Sequence, residues 1–365
     1  MATLGVVAAG VFAAPGFAAD SSAPALPQPG DTTAVLAPLA PPADSSATQS
    51  GLAQALSGPL SVKALGPNAR VAVFDTDSGN LLYERSGSNP ATPASTNKLL
   101  TAAAVLSAYG ADYRIKTSVV QASSPTDLVI VGGGDPLLRT TPAPPDESPA
   151  ASLTDLADQT ANALKAAASS GGETPTTLSA TVNFDDSLFT GPRTAPNWPS
   201  SYVTSQLVSP ITALMVNGGG GADPARTAAT TFVSLLKKRG IAVPAAPNRV
   251  TASSGATEVA VVNSSALSGV VTHTLTASDN TAAEMLGHLA GVKNGGGGSF
   301  EGGTVAVNRT LEELGIPTNG VRLYDGSGLS RDDQIPAQTI GQVLNKSATS
   351  NAQQLWPVLY GMPIA

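Results

Sequence analysis

The segment at residues 89–110, NPATPASTNKLLTAAAVLSAYG, places a proline-rich turn directly before a long apolar run. Pro90 and Pro93 stop any strand, because proline has no backbone N–H and restricts the residue before it. The run at residues 99–106 then predicts a helix that continues to Gly110, a residue type common at helix ends. The sequence therefore predicts a helix whose first turn follows a sharp bend in the chain.

Ser95 and Lys98 lie at that bend, three positions apart. Residues three apart share a helix face, so the lysine amine can reach the serine hydroxyl. A lysine whose pKa is lowered can take the proton of such a hydroxyl and make it a nucleophile. The alternative is a helix-capping serine beside a solvated lysine. The same spacing recurs at Ser234 and Lys237, where an amphipathic helix with a basic last turn predicts a structural role.

A second polar segment, TASDNTAAE, interrupts apolar helix-forming sequence and places Ser278 and Asn280 two positions apart. A hydroxyl and a carboxamide directed into a cleft can relay a proton to a leaving amine and hold an amide carbonyl. The alternative is an ordinary break between two helices. Taken alone, this spacing is less specific than the Ser95–Lys98 pair.

Composition excludes several classes of function. The chain has 365 residues, of which 42% are hydrophobic and 12% charged, with a formal net charge of −7. An acidic chain with so few charges is a poor binder of nucleic acid or anionic lipid. There is no cysteine and there are two histidines, which excludes thiol catalysis and cysteine-based metal centres. We expect neither a metal ion nor a cofactor.

The first 50 residues predict export followed by a tether. Residues 4–14 form an apolar core shorter than the roughly 18 residues of a membrane span, and small residues follow it, so residues 1–19 are typical of a signal peptide. Residues 20–50 are rich in Pro, Ala and Ser and predict a disordered linker. No later segment is apolar for long enough to predict a transmembrane span.

The rest of the chain divides into three segments that differ in their predicted secondary structure. Residues 51–118 contain two strand-like runs around a turn of Asp, Ser, Gly and Asn, followed by the helix described above. Residues 119–261 read as short strands and turns with one helix, which indicates inserted material. Residues 262–365 return to helices and include a glycine-rich loop, VRLYDGSGLSRDD.

The combination of S-x-x-K with S-D-N is an established signature of class A β-lactamases and penicillin-binding proteins. Six short segments in order resemble the D-alanyl-D-alanine carboxypeptidase/endopeptidase family, the low-molecular-mass penicillin-binding proteins with large inserted domains. They are PASTNK, LVIVGGGDPLL, FDDSLFTGP, SPITALMVNGG, SDNTAAEML and LYDGSGLSR. The resemblance covers nearly everything from about residue 60 onward.

The resemblance implies an α/β (α+β) transpeptidase-like fold, an antiparallel sheet flanked by helices, built from residues 51–118 and 262–365. Residues 119–261 would form a β-rich inserted region between these halves. It also implies exported enzymes that act on peptidoglycan stem peptides ending in D-Ala-D-Ala and that β-lactams acylate.

The resemblance further implies four catalytic roles. Ser95 would be the nucleophile and Lys98 its base, while Ser278 would relay a proton to the leaving amine and Asn280 would steady the acyl amide. From its position after the glycine-rich loop, Arg331 is a candidate to meet a substrate carboxylate as a bidentate fork, with an ordinary surface arginine as the alternative.

The family's third motif, K-T-G or H-T-G, is expected after the glycine-rich loop and is not found there. The sequence therefore reads as truncated before that motif, and we separate the family's activity from that of this chain. Two alternatives stay open. One is a non-catalytic peptidoglycan-binding relative. The other is a class A β-lactamase, which the long segment between Lys98 and Ser278 disfavours.

Overall fold

The computed structural model describes residues 7–8, 49–144, 147–170 and 178–363. The predicted signal peptide, except Val7–Ala8, and nearly all of the predicted linker lie outside these residues. The helices are α1 Gln49–Ser57, α2 Asn97–Tyr109, α3 Leu153–Ser170, α4 Ser201–Thr204, α5 Pro224–Lys238, α6 Leu267–Thr276, α7 Asn280–Lys293, α8 Phe300–Glu313, α9 Ala337–Ala348 and α10 Trp356–Tyr360. The strands are β1 Val7–Ala8, β2 Val71–Phe74, β3 Leu81–Arg85, β4 Pro90–Ala91, β5 Arg114–Gln121, β6 Asp127–Gly132, β7 Leu178–Ser179, β8 Thr181–Asp185, β9 Ile241–Ala242, β10 Glu258–Ala266 and β11 Ile335–Pro336.

The predicted hairpin is present as the antiparallel pair β2 and β3. Its turn is closed by Asp75, whose carboxylate accepts the backbone N–H of Ser78 at 2.6 Å. Strand β1 pairs with the other side of β2, so the three strands form one antiparallel sheet. Helix α9 packs against β2, which places this sheet beside the helices.

Helix α2 lies at the centre of the helical part. Its residues from Asn97 to Leu106 are all buried, as expected for a helix that is apolar on nearly every side. Helices α6, α7, α8, α9 and α10 all contact it. The start of α2 is therefore held by packing from several directions, which fixes the position of the residues that precede it.

The inserted part has its own sheet and its own core. The strand order is β10-β5-β6-β8, with β5 antiparallel to both neighbours and β6 parallel to β8. Helices α3 and α5 pack against each other and on this sheet. The insertion thus contains two long helices beside its strands. The sequence predicted α5 but not α3.

The division into domains stays a prediction, but its limits need adjustment. Ser118 lies inside β5 and Val261 inside β10, and these two residues are paired partners in the sheet. A limit drawn at either residue cuts a hydrogen-bonded strand. Limits before Arg114 and after Ala266 keep the four-stranded sheet whole.

Two connections bring distant segments to the start of α2. The short strand β4, just before Ser95, pairs with β11, and this carries the loop at residues 323–331 onto the same region. The C-terminal end of α6 and the start of α7 meet there as well. In the part of the chain that the structure describes, no helix is both long and apolar enough to cross a bilayer.

Candidate active site

Ser95 lies in a single 3₁₀ turn, Ala94–Thr96, immediately before α2. Its hydroxyl is 3.1 Å from Nζ of Lys98 and 3.0 Å from Oγ of Ser278. No side chain caps the start of α2, so the alternative of a capping serine does not describe this residue. Ser95 is exposed, which leaves its hydroxyl accessible to a substrate.

Lys98 is buried, with 2% of its surface exposed. Besides Ser95, Nζ donates hydrogen bonds to Oδ1 of Asn280 at 2.7 Å and to the carbonyl of Ser327 at 2.9 Å. Burial lowers the pKa of Lys98 to about 8, while the nearby carboxylates of Glu284, Asp325 and Asp279 act in the opposite direction. A neutral amine at this position would keep two N–H donors for Asn280 and Ser327 and direct its lone pair at Ser95.

Ser278 and Asn280 come from the break between α6 and α7. Asp279 caps α7 through its carboxylate, which accepts the backbone N–H of Ala282 at 3.0 Å. Ser278 has a positive φ of 52°, a conformation that costs energy for a residue with a side chain and that clusters at functional sites. This turn directs the Ser278 hydroxyl toward Ser95 while the first residue of α7, Asn280, faces Lys98.

Glu284 is a component of the site that the sequence analysis did not assign. It lies one helical turn after Asn280 and is 1% exposed. Its two carboxylate oxygens accept the backbone N–H groups of Gly326 and Ser327 at 2.9 and 2.8 Å. Burial raises the pKa of Glu284 to about 8, against these two N–H groups, which lower it. An acidic residue four positions from Asn280 in an otherwise apolar helix was the available signal.

Two further acidic residues, Asp325 and Asp333, hold the loop after residue 324 in shape. Asp325 accepts the backbone N–H of Ser330 at 2.6 Å and the indole N–H of Trp198 at 2.8 Å. Burial raises the pKa of Asp333 to about 9, and the Asp325 carboxylate beside it adds to the shift. The raised pKa favours the protonated form of Asp333 beside the Asp325 carboxylate.

Close packing joins this loop to the turn that carries Ser95. Gly328 has a φ of +82°, and a Cβ atom there would lie 1.9 Å from the carbonyl oxygen of Ala94. Ala94 itself has a positive φ of 50°. Only glycine fits at position 328, because any side chain would push against the residue that precedes Ser95.

Arg331 lies on the same loop and is exposed. Its backbone carbonyl accepts a hydrogen bond from the Thr92 hydroxyl at 3.3 Å. Among the described residues its guanidinium makes no hydrogen bond to Ser95, Lys98 or Asn280. Of the five residues proposed from sequence, the structure thus brings four into direct contact and leaves Arg331 exposed on the neighbouring loop.

The second S-x-x-K spacing has the structural role predicted for it. The Ser234 hydroxyl donates to the carbonyl of Thr230 within α5, and Lys237 lies in the last turn of that helix. Over the ranges that the structure describes, no group of three or more His, Asp or Glu side chains is arranged to hold a metal ion.

Comparison with known proteins identifies the family. The profile of the D-Ala-D-Ala carboxypeptidase 3 (S13) family matches residues 52–222 and 220–365. The chain belongs to this family. The resemblance predicted from the six sequence segments is confirmed.

Three carboxypeptidases of known sequence, two of them mycobacterial, are similar to this chain. Carboxypeptidase Rv3627c of Mycobacterium tuberculosis is 34% identical over 346 residues, covering 91% of this chain and 72% of the relative. Carboxypeptidase DacB of Mycolicibacterium smegmatis is 34% identical over 387 residues, covering 100% of this chain and 80% of the relative. A D-alanyl-D-alanine carboxypeptidase from an Actinomadura species is 29% identical, covering 82% of this chain and 68% of the relative.

A solved structure supports the predicted fold class. Penicillin-binding protein 4 (dacB) from Haemophilus influenzae has a TM-score of 0.65 at 18% identity, covering 82% of this chain and 78% of that one. At that identity the likeness concerns the fold. The mixed α+β architecture with sheets flanked by helices is thereby confirmed.

Proposed function

We propose that this D-Ala-D-Ala carboxypeptidase cleaves peptidoglycan stem peptides through an acyl-enzyme on Ser95. The observation that carries the proposal is the position of the Ser95 hydroxyl, 3.1 Å from Nζ of the buried Lys98 and 3.0 Å from Oγ of Ser278. A nucleophile within hydrogen-bond distance of a base with a lowered pKa is the arrangement that serine acyl transfer requires.

In the acylation step, the neutral amine of Lys98 takes the Ser95 proton. Oγ then bonds to the carbonyl carbon of the penultimate D-alanine. With a pKa of about 8, about one Lys98 in ten is neutral at pH 7. The new ammonium keeps its hydrogen bonds to Asn280 and Ser327, so the charge forms in a site that already holds two acceptors for it.

The tetrahedral intermediate collapses as the C–N bond to the terminal D-alanine breaks. Ser278 gives its proton to the leaving nitrogen and is reprotonated by the Lys98 ammonium. Asn280 holds the carbonyl of the acyl amide with an N–H of its carboxamide. Water then attacks the ester, one of its protons passes to Lys98, and Ser95 leaves with a proton restored. No proton is gained or lost over the cycle apart from those of the water consumed.

The proposed partners follow from this reaction. Stem peptides of peptidoglycan are the substrates, in carboxypeptidase or endopeptidase cleavage, and β-lactams acylate Ser95 as mimics of the dipeptide. Arg331, exposed on the loop that follows residue 324, is the proposed contact for a substrate carboxylate. Because peptidoglycan lies outside the cytoplasmic membrane, we infer that the protein is exported to the cell envelope or secreted.

Labelling with benzylpenicillin tests the assignment of the nucleophile. Intact-mass analysis is expected to find one adduct per chain, and peptide mapping should locate it on Ser95. Ser95→Ala should abolish the adduct. Ser234→Ala, in the second S-x-x-K segment, is the matched control and should label fully. An adduct on another serine would overturn the assignment.

Benzylpenicillin labelling, muropeptide binding and nitrocefin hydrolysis together separate the two alternatives from the carboxypeptidase. A non-catalytic peptidoglycan-binding relative would bind muropeptides without forming any adduct, and Ser95→Ala would leave that affinity intact. A class A β-lactamase would hydrolyse nitrocefin with many rapid turnovers, and its adduct would not persist. The family match favours the carboxypeptidase over both alternatives, and the Ser95–Lys98–Ser278 geometry favours a catalytic protein over a binding relative.

A further inference from the structure

The segment Gln206–Ser209 of the inserted part reaches the start of α7. The carbonyl oxygen of Leu207 accepts a hydrogen bond from Nδ2 of Asn280 at 2.9 Å. Next to it, the backbone N–H of Ser209 donates to the Thr281 hydroxyl at 3.0 Å. The insertion thus touches a residue of the proposed catalytic centre through a backbone atom, which no search for side-chain motifs detects.

Local bonds and packing hold this segment in place. The N–H of Leu207 donates to the carbonyl of Tyr202 at 2.9 Å, and Gln206 adopts a positive φ of 61°. Val208 is 2% exposed and belongs to the same apolar cluster as Met285 of α7. The segment is therefore fixed to α7 on one side and to α4 on the other, while the Gln206 side chain is exposed.

The Leu207 carbonyl is the second hydrogen-bond partner of the Asn280 carboxamide, after Lys98. Oδ1 accepts from Lys98 at 2.7 Å, and one Nδ2 hydrogen goes to Leu207. The terminal torsion of asparagine is broad, so two partners on opposite ends are needed to define it. With both hydrogen bonds in place, the direction of the second Nδ2 hydrogen is also defined. Rotating the carboxamide by 180° would instead place its N–H groups against the Lys98 ammonium.

We propose that the Gln206–Ser209 segment is a positioning element that sets the orientation of the Asn280 carboxamide through the carbonyl of Leu207. The segment leaves the second Nδ2 hydrogen, the one not bonded to Leu207, available for the acyl amide and keeps Oδ1 bonded to Lys98. This role rests on the proposed function of Asn280 in acylation. It also gives the inserted part a direct function in catalysis, since its fold holds the segment.

Backbone strain offers a way to displace the segment without touching the core. Gln206→Ile places a β-branched residue at a positive φ, which such residues strongly disfavour. Misplaced catalytic groups cost up to about 100-fold, so we expect acylation by benzylpenicillin to slow on the order of 10- to 100-fold. Gln206→Gly, which accepts the conformation, should restore the rate. Ser86→Ile is the matched control, because Ser86 is also exposed with a φ of 50° and should acylate normally.

A double-mutant cycle separates positioning from general destabilisation. In an Asn280→Ala background, Gln206→Ile should have no further effect on the acylation rate, because the group it positions is gone. Equal slowing in both backgrounds would overturn the proposal. Thr281→Val, which removes the acceptor for Ser209, provides a second displacement if Gln206→Ile fails to fold, and the same cycle applies to it.

A measurement independent of activity distinguishes this proposal from the proposed function. In the ¹⁵N-labelled full chain, the Asn280 Nδ2 signal is assigned by its loss in Asn280→Ala. It should shift in Gln206→Ile or Thr281→Val and stay in place in Ser86→Ile. An unchanged signal in both displaced variants would overturn the positioning role. If the unsubstituted chain takes no benzylpenicillin, the proposed function fails while this signal still decides on the segment.

Discussion

Nζ of Lys98 lies 2.7 Å from Oδ1 of Asn280, although the two residues are 182 positions apart in the chain. This bond joins the start of α2 to the start of α7 and, with the Ser327 carbonyl, leaves one direction of the amine for Ser95. A protonated Lys98 has three N–H donors for these three acceptors. Loss of one proton leaves the lone pair for the serine, provided the other two bonds persist. The three acceptors therefore suit the ammonium at rest, and in the neutral form the same arrangement directs the lone pair of the amine at Ser95.

Replacing the lysine should remove most of the acylation rate. Lys98→Met keeps an unbranched side chain in the buried position but has no proton acceptor for Ser95. General-base catalysis typically contributes about 10²- to 10⁴-fold, so the second-order rate constant for benzylpenicillin should fall at least 100-fold. Lys116→Met, at an exposed position of β5, is the control. A Lys98→Met variant within tenfold of the parent would contradict the role of base.

The pH dependence of acylation should report the titration of Lys98. Its pKa is lowered to about 8 by burial, and the reactive form is the deprotonated one. The rate should therefore rise about tenfold per pH unit below pH 8 and level off above it. Stopped-flow or quenched mass measurements from pH 6 to 10 would follow this curve. A rate that keeps rising to pH 10 would indicate hydroxide or an unshifted lysine instead.

Glu284→Gln should destabilise the folded protein. A glutamine carboxamide offers one acceptor oxygen to the two N–H groups of Gly326 and Ser327, so one buried donor loses its partner. An unsatisfied buried donor costs about 1–3 kcal/mol of unfolding free energy. Urea unfolding measures this loss. Glu312→Gln, exposed on α8, should change the free energy by less than about 0.5 kcal/mol, and equal effects at both positions would argue against a structural role for Glu284.

Gly328→Ala should disturb Ser95, the proposed nucleophile, and also lower the stability of the protein. The new Cβ would meet the Ala94 carbonyl at 1.9 Å, so the turn that carries Ser95 must move. We expect acylation to slow more than about tenfold, since small displacements of reacting groups are costly. Gly110→Ala is the matched control, because Gly110 has a φ of +83° and open space around its Cβ position. Gly110→Ala should lose roughly 1–3 kcal/mol of unfolding free energy through backbone strain and acylate normally.

The parts of the site that the sequence predicted are local in the chain. Ser95 and Lys98 are one helical turn apart, and Ser278 and Asn280 belong to one short break between helices. Helical spacing brings Lys98 within reach of Ser95, and the two-residue separation keeps Ser278 and Asn280 near each other in the same break. The hairpin of β2 and β3 and helix α5 were predictable for the same reason, because their turn residues and apolar periodicity are contained in short windows.

Helix α3 was missed although its pattern was present. Leu153, Leu156 and Leu164 are buried in the core of the inserted part at spacings typical of an amphipathic helix. Short strands and Pro/Ser-rich loops on either side favour an interpretation of this part of residues 119–261 as strands and turns, with α5 as the one predicted helix. The helical spacing of these leucines was present in the sequence, but the neighbouring strand and loop patterns dominated the prediction.

By itself the sequence determined the family, the fold class, the proposed nucleophile with its base and the second polar pair, since each depends on residue types at fixed short spacings. The tertiary structure alone decided that Glu284 holds the loop under Lys98 and that the Leu207 carbonyl meets Asn280. The first of these contacts joins residues far apart in the chain, and the second uses a backbone atom that every residue type carries. Such contacts exist only after packing has chosen one arrangement of the elements, so no short window of sequence encodes them.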